Sequence, residues 1–212
     1  MYKRQAWLWW YELWDYLIEV DVLEYNFLGE YKTWDTKTIK GKTTCFNTVH
    51  KIVMSLDYSD QQYIIEAITK NKIRKQYNNI VLNWEEIQQL NNHELIYIGS
   101  HTHSHPNLKK LKTDDVSQEI CKSKSLIEKN LGVVVEHFAY PFGTKNEVGL
   151  RESEIVNKVG MSTAVTIDPR PIVKSNLFLL ERKGVMSKMN ALSLKGKLSG
   201  IEFIAKKITG NL

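Results

Sequence analysis

Cysteine is scarce in this 212-residue sequence, which has only two cysteines. Cys45 and Cys121 cannot build the disulfide framework of a small secreted domain, and we interpret both as ordinary buried or half-buried thiols that bind no metal. Internal repeats and low-complexity segments are also lacking. With 42% hydrophobic and 25% charged residues, the chain is predicted to fold around a sizeable core.

A long uninterrupted apolar run is lacking as well. The aromatic stretch at residues 1–20 contains Glu12, Asp15 and Glu19, so we predict neither a signal peptide nor a transmembrane segment. Its apolar side chains recur every three or four positions, as in an amphipathic helix packed on a core: Trp10, Leu13, Trp14, Leu17 and Ile18. An interfacial membrane helix is the alternative, but its polar face is acidic rather than basic. Because no signal peptide is visible, a cytoplasmic location is favoured.

The net charge of +5 is not concentrated in a basic motif. Lysines are scattered through residues 70–75, 109–112 and 188–207, as expected of solvated helix faces. No nucleic-acid-binding motif accompanies them, so we predict no nucleic-acid partner.

Helix and strand patterns alternate along the rest of the chain. Residues 21–44 are predicted to be a loop with little regular structure. The predicted helices cover residues 46–56, 60–68 (capped by Ser59 or Asp60), 83–90, 113–131 (capped by Thr113) and 152–159. The predicted strands cover residues 94–99, 133–140, 162–167 and 177–181. This alternation favours an α/β fold with parallel strands and functional loops at one end.

Two histidines four residues apart, His101 and His105, directly follow a predicted strand. Imidazole nitrogen is a good zinc ligand, and positions i and i+4 share one face of a helical turn, so both rings could reach one ion. A polar turn is the alternative interpretation of this loop. His103, between the two, is assigned a supporting or solvent-exposed role. The sequence places no third ligand nearby.

Three separated segments follow the motifs of one family: Ile98-Gly-Ser-His-Thr-His-Ser-His-Pro-Asn-Leu108, Phe138-Ala-Tyr-Pro-Phe-Gly143 and Val159-Gly-Met-Ser-Thr-Ala-Val-Thr166. They resemble the polysaccharide deacetylases of the NodB-homology class. The resemblance covers roughly residues 84–182, and the Trp9-Trp10 helix is similar to a segment that some members carry between their first and second motifs.

The resemblance implies a distorted (β/α) barrel that removes acetyl groups from N-acetylated sugars with a divalent metal, usually zinc. It assigns the metal to His101 and His105. The backbone N–H of Phe142 would donate a hydrogen bond to the developing oxyanion. The remaining residues of that loop would shape the substrate site, and these are Tyr140, Pro141 and Gly143.

The sequence departs from the family at two places. A strand ending in Asp-Asp, which supplies the base and the third metal ligand in the family, has no counterpart upstream of the histidines. Asp114-Asp115 opens a predicted helix, where capping accounts for it, and the nearest substitute, Asp57, falls in a helical stretch. Ala139 stands where many members have an arginine that orients the base. Arg182 would take part of that role, or form a surface salt bridge.

Together these features predict an α/β fold, a NodB-type barrel incomplete at its N-terminus. Residues 1–80 would form a helical segment packed on a core of residues 81–212, in one domain. The predicted function is metal-dependent deacetylation of a glycan, impaired in this chain. A non-catalytic carbohydrate-binding or scaffold remnant of the same fold is the alternative, and a zinc-binding interaction module is a third possibility.

Overall fold

The computed structural model of the chain describes residues 8–27, 29–70, 81–167 and 176–201, together with Ile204 and Ile208. Its contacts divide the chain into two compact units, Met1–Ile87 and Gln88–Leu212. The packing of residues 1–80 on the following core stays a prediction. Within the described residues, no helix has both the length and the apolar character needed to cross a membrane.

The first unit contains three helices and a β-hairpin around its own core. Its helices are α1 (Trp9–Glu19), α2 (Ile39–Met54) and α3 (Tyr58–Thr69), and its antiparallel strands are β1 (Val22–Phe27) and β2 (Glu30–Asp35). The buried residues that form the core come from all three helices and from β1: Trp9, Leu13, Tyr16, Leu17, Leu23, Phe27, Cys45, Val49, Val53, Ile64, Ile65 and Ile68.

The amphipathic helix predicted near the N-terminus is confirmed as α1. Leu13 and Leu17 are fully buried, whereas Ile18, at the end of the predicted apolar stripe, is 54% exposed. The last carbonyls of α1 find a donor on α2, because the Lys42 ammonium donates to the carbonyl oxygens of Leu17, Ile18 and Val20. A cation that satisfies terminal carbonyls in this way stabilises a helix end.

The predicted loop over residues 21–44 is wrong, because a hairpin and the first turns of α2 form there. In β1, Leu23 and Phe27 point into the core while alternate residues are exposed, which is the period of a strand. The hairpin turn contains Gly29 at φ 96°. Most of the threonines that suggested a loop belong to strand β2, to helix α2 or to the cap of α2, where Thr38 Oγ1 accepts a hydrogen bond from the Gly41 N–H (3.0 Å).

The start of α3 also differs from the prediction, since the N-cap residue is Asp57 rather than Ser59 or Asp60. Asp57 therefore lies at a helix start in the first unit; its side chain makes no capping hydrogen bond, but a carboxylate at this position favours the helix N-terminus.

The second unit combines short parallel strands with helices. Its elements are α4 (Trp84–Asn91, which begins just before the unit), a 3₁₀ turn (Leu108–Lys110), α5 (Thr113–Leu131), β3 (His137–Ala139), α6 (Leu150–Lys158), β4 (Thr163–Val165) and α7 (Ala191–Ser199). Strands β3 and β4 pair in parallel, Ser100 forms a parallel bridge with Phe138, and Leu180 forms one with Val165. The four paired segments, Ser100, β3, β4 and Leu180, therefore lie side by side in the order in which they occur in the chain.

This arrangement is the predicted mixed α/β architecture. Helices α5 and α6 connect successive parallel segments, as crossover helices do. Phe138 and Ala164 are buried on the face that packs with these helices, while His137 on the other face is exposed. No closed barrel is detected in the part of the chain that the structure describes.

The predicted strands are longer than the observed ones. Residues 94–99 form no regular strand, and only Ser100 next to them pairs. Leu95 and Tyr97 are 78% and 82% exposed, whereas Ile96 and Ile98 are half-buried, so only part of the apolar stretch that predicted a buried strand is covered. The strands predicted over residues 133–140 and 162–167 shorten to β3 and β4, and within residues 177–181 only Leu180 pairs.

The start of α4 and the end of α5 follow local capping signals, whereas the start of α5 does not. Asn83 and Glu86 form a reciprocal capping box at α4, in which Asn83 Oδ1 accepts from the Glu86 N–H (2.7 Å) and Glu86 Oε2 accepts from the Asn83 N–H (2.6 Å). Helix α5 ends at Gly132 as predicted, but its N-cap is Lys112 rather than Thr113.

On α5, Cys121 is exposed rather than half-buried, whereas Cys45 in the first unit is buried as predicted.

Candidate functional site

Two loops of the second unit lie where neighbouring parallel segments end. The first loop, residues 101–107, follows Ser100, and the second, residues 141–143, follows β3. The carboxyl ends of parallel strands lie at one edge of a sheet, and α/β proteins carry their ligand-binding loops at that edge. The predicted site residues of both loops therefore lie at the same edge.

The first loop brings the two histidine rings together. The ring centroids of His101 and His105 are 4.8 Å apart, with the ring planes at 73°. The helical turn predicted to connect them is wrong, because Thr102 and His105 adopt left-handed backbone conformations with φ of 66° and 59°. Each such conformation costs a non-glycine residue about 1 to 3 kcal/mol, and it persists only where surrounding contacts impose it.

Three hydrogen-bonding groups fix this loop. His101 Nδ1 lies 2.6 Å from the Ala139 carbonyl oxygen, and because a carbonyl only accepts, Nδ1 carries the proton and Nε2 keeps its lone pair. Thr102 Oγ1 accepts from the His105 N–H (3.1 Å). The Glu119 carboxylate on α5 accepts hydrogen bonds from the backbone N–H groups of His103 and Ser104 and from the Ser104 hydroxyl. No sequence motif had indicated Glu119.

The surroundings of both imidazoles lower their pKa values and so favour the neutral form. Burial lowers the pKa of His105 to about 4, and the charge of neighbouring His101 acts in the same direction. Burial also lowers the pKa of His101, as does the charge of Arg182, while the hydrogen bond to Ala139 works against them. A neutral imidazole is the form that binds a metal ion.

The second loop contacts the first through Phe142. The ring centroids of Phe142 and His105 are 4.7 Å apart, nearly perpendicular at 78°. Phe142 has φ of 59°, and its N–H donates to no acceptor among the described residues. The next residue, Gly143, has φ of 67°, and a Cβ there would lie 3.1 Å from the Ile167 nitrogen. The loop is closed by the Gly143 N–H, which donates to the Pro141 carbonyl oxygen (2.6 Å).

The remaining predicted site residues take different positions. Tyr140 is 1% exposed, and its hydroxyl donates to the Phe178 carbonyl oxygen (2.7 Å), so its side chain lies beneath the loop. Its assignment to the substrate stays a prediction. The Arg182 side chain is exposed, and its Nε donates to the Thr166 carbonyl oxygen (2.8 Å). No ion pair within 4.0 Å involves Arg182 among the described residues, and its charge acts on His101 instead.

The far end of the histidine loop is anchored to α6. Arg151 donates to the carbonyl oxygens of Leu108 (2.8 Å) and Leu111 (3.0 Å), and it pairs with the buried Glu152 carboxylate (2.6 Å). Since Glu152 also accepts from the Gly149 N–H (2.8 Å), this ion pair is held at the start of the helix. The segment after the histidines is therefore fixed by charge-assisted hydrogen bonds.

The donor set for a metal ion is incomplete within the described residues. A catalytic zinc site has three protein ligands, whereas the described residues hold no group of three or more His, Cys, Asp or Glu side chains that could bind an ion. Asp114 and Asp115 lie in the first turn of α5, where they favour the helix N-terminus. Two histidines could supply two ligands, one fewer than a catalytic zinc site has.

Comparison with known proteins gives the family. A sequence profile of polysaccharide deacetylases matches residues 33–164. No curated protein sequence matches significantly. One similar solved structure is the Streptococcus pyogenes deacetylase PplD in complex with acetate, at a TM-score of 0.50 and 20% identity over 55% of this chain and 50% of that one.

Two further structures are similar at lower scores. A polysaccharide deacetylase from Bacillus cereus has a TM-score of 0.49 and 22% identity over 56% of this chain and 37% of its own. The deacetylase domain of BpsB from Bordetella bronchiseptica has a TM-score of 0.45 and 17% identity over 52% of this chain and 53% of its own. The chain thus spans between 37% and 53% of these structures. Because the family profile matches more than half of the sequence, this chain belongs to the polysaccharide deacetylase family.

Proposed function

We propose that this chain carries the histidine side of a metal-dependent deacetylase site, which removes acetyl groups from an N-acetylated glycan and uses zinc. One observation carries the proposal: the rings of His101 and His105 are paired at 4.8 Å where the parallel segments end. Membership of the polysaccharide deacetylase family supports acetyl hydrolysis as the reaction and a carbohydrate as the substrate.

His101 and His105 are proposed as metal ligands. The hydrogen bond from His101 Nδ1 to Ala139 leaves Nε2 for the metal, and the lowered pKa values of both rings favour the neutral form that binds it. When bound, zinc would polarise the acetyl carbonyl and lower the pKa of a water molecule. The described residues supply two ligands rather than the three of a catalytic zinc site.

The Phe142 N–H is proposed as the donor to the oxyanion. Amide hydrolysis places negative charge on the former carbonyl oxygen, and a fixed backbone N–H stabilises that charge without reorganising. Phe142 has a left-handed conformation, and the turn around it is closed by the Gly143 N–H, which donates to the Pro141 carbonyl oxygen. In this proposal the loop from Tyr140 to Gly143 borders the sugar.

Arg182 is proposed to act through its charge. Its Nε is held by the Thr166 carbonyl, and its charge already lowers the pKa of His101. A guanidinium at this position would favour an anionic group at the site, such as a carboxylate base or the oxyanion.

The test compares His101→Ala and His105→Ala with His103→Ala, a variant of an exposed histidine in the same loop. Zinc binding is measured by isothermal titration calorimetry, and acetate release is measured from N-acetylglucosamine oligomers. We expect the first two variants to lose zinc binding and His103→Ala to retain it. Equal zinc affinity in all three variants would refute the assignment. Glycan binding that neither a chelator nor His101→Ala affects would favour a non-catalytic carbohydrate-binding protein.

Zinc binding is the primary readout. Turnover also needs a third metal ligand, and no described His, Cys, Asp or Glu completes a metal-binding group with the two histidines, whereas binding reports on the two imidazoles directly. Where acetate is released, it should fall in both histidine variants and on chelation. Release that is unchanged by a chelator would contradict the metal dependence.

A further inference from the structure

A carboxylate outside the family motif holds the backbone between the two histidines. Glu119 Oε2 accepts from the N–H groups of His103 (2.9 Å) and Ser104 (2.8 Å), and its Oε1 accepts from the Ser104 hydroxyl (2.8 Å). Two successive N–H groups thus converge on one oxygen, an arrangement in which backbone amides bind anions. Hydrogen bonds to an ionised carboxylate are stronger than those between neutral groups.

The loop needs such a clamp because it is strained. Thr102 and His105, on either side of the two clamped amides, both have left-handed φ values. Relaxation of either residue to an ordinary conformation would turn the His105 ring away from His101. Strain of this kind persists only when surrounding contacts impose it, and Glu119 supplies three of those contacts.

Glu119 is itself held by a well-packed helix. On the same side of α5, Val116 and Ile120 are fully buried in the core of the second unit. One turn further on, the Ser123 and Ser100 hydroxyls are hydrogen-bonded (2.9 Å), which ties α5 to the segment that leads into the loop. Since Ser100 directly precedes His101, helix and loop share one rigid attachment.

The two histidines depend on this clamp to different degrees. The His101 ring has its own hydrogen bond to the Ala139 carbonyl, on β3, which does not involve Glu119. His105 is held through its backbone, by the Thr102 hydroxyl, at the end of the clamped segment. Loss of the clamp should therefore displace His105 more than His101.

We propose that Glu119 is a positioning residue for the histidine pair: its carboxylate clamps the His103 and Ser104 backbone and so holds the His105 ring beside His101. The carboxylate contacts the loop backbone and the Ser104 hydroxyl. The part of this inference that concerns metal binding rests on the proposed function, because zinc is the ion that the two rings would share.

A matched control lies on the same helix. Glu128 is also half-buried, and its Oε1 accepts from the N–H of Val135 (3.0 Å) while pairing with Lys124 (3.0 Å). Glu128→Gln therefore removes a similar charge-assisted contact between α5 and a loop, but not one to the histidine loop. Glu119→Gln preserves side-chain size and removes the negative charge, so any hydrogen bond that its amide oxygen still accepts is a weaker one between neutral groups.

The experiment measures zinc affinity and the visible spectrum of the cobalt(II)-substituted full chain for wild type, Glu119→Gln and Glu128→Gln. Loss of a residue that orients a metal ligand costs about 10- to 100-fold in affinity. We expect Glu119→Gln to bind zinc at least about 10-fold more weakly and to alter the cobalt spectrum, since its ligand geometry changes. Glu128→Gln should match wild type in both. Equal zinc affinity for wild type and Glu119→Gln, or an equal loss in both variants, would overturn the inference.

A second readout separates this inference from the proposed function. Amide hydrogen exchange and the His105 ring resonances are measured without metal. Glu119→Gln should accelerate exchange at His103 and Ser104 and shift the His105 resonances more than those of His101, whereas Glu128→Gln should accelerate exchange at Val135. If wild type binds no zinc, the proposed function fails and this readout decides the inference. Unchanged His105 resonances in Glu119→Gln would then overturn it.

Discussion

Replacement of Gly143 by alanine tests whether contact with Ile167 shapes the loop that carries Phe142. Gly143 has φ of 67°, and an added Cβ would lie 3.1 Å from the Ile167 nitrogen and 3.2 Å from its Cγ2. The left-handed conformation alone costs alanine about 1 to 2 kcal/mol. Forcing a methyl group into a packed position typically adds about 1 to 3 kcal/mol. We therefore expect Gly143→Ala to lower the free energy of unfolding by roughly 2 to 5 kcal/mol.

Gly160→Ala is the matched control. Gly160 has φ of 82°, and a Cβ there would meet no atom within 4 Å, so the variant carries the conformational cost alone. Both variants are unfolded in urea and followed by far-ultraviolet circular dichroism. With a slope of about 2 kcal/mol per molar urea, the midpoint of Gly143→Ala should lie about 0.5 to 1.5 M below that of Gly160→Ala. Coincident midpoints would refute the reasoning, because contact with Ile167 would then contribute nothing.

Two further predictions concern the first unit and the thiols. Burial raises the pKa of Cys45 to about 12, so at pH 8 its side chain is almost entirely the unreactive thiol. A thiol reagent should therefore label the exposed Cys121 first. Equal labelling rates of the two cysteines in the native protein would contradict this prediction. Lys42→Met removes a buried ammonium that donates to three carbonyls at the end of α1, and each hydrogen bond to a charged group contributes about 1.5 to 3 kcal/mol. Thermal unfolding should show a clearly lower melting temperature for Lys42→Met and almost no change for Lys40→Met, which alters an exposed lysine of the same helix. Similar decreases in both variants would argue against the capping role.

Local signals predicted the helices better than the strands. The apolar spacing of α1, the Asn83 cap of α4 and the Gly132 end of α5 each depend on residues close together in sequence, and the structure contains all three. A strand needs a partner from elsewhere in the chain. The apolar residues 94–99 therefore suggested a strand, although only Ser100 pairs, and the hairpin in residues 22–35 was missed.

The candidate site also has features that the sequence predicted and features that it did not. The motif spacing marked His101, His105 and the Phe142 turn, and the structure brings their rings together. The helical turn inferred from the four-residue spacing was wrong, because the left-handed conformations of Thr102 and His105 depend on the contacts around the loop. Spacing alone cannot distinguish a helical turn from a strained loop.

By itself, the sequence determined the family, the two imidazoles and the alternation of helices and parallel segments, since motifs and periodicity are local properties. Only the tertiary structure decided how the imidazoles are held. Glu119 is one acidic residue on an amphipathic helix, and no pattern marks it. Its carboxylate meets the loop because Val116 and Ile120 bury α5 in the core and Ser123 bonds to Ser100. That contact depends on packing between distant segments.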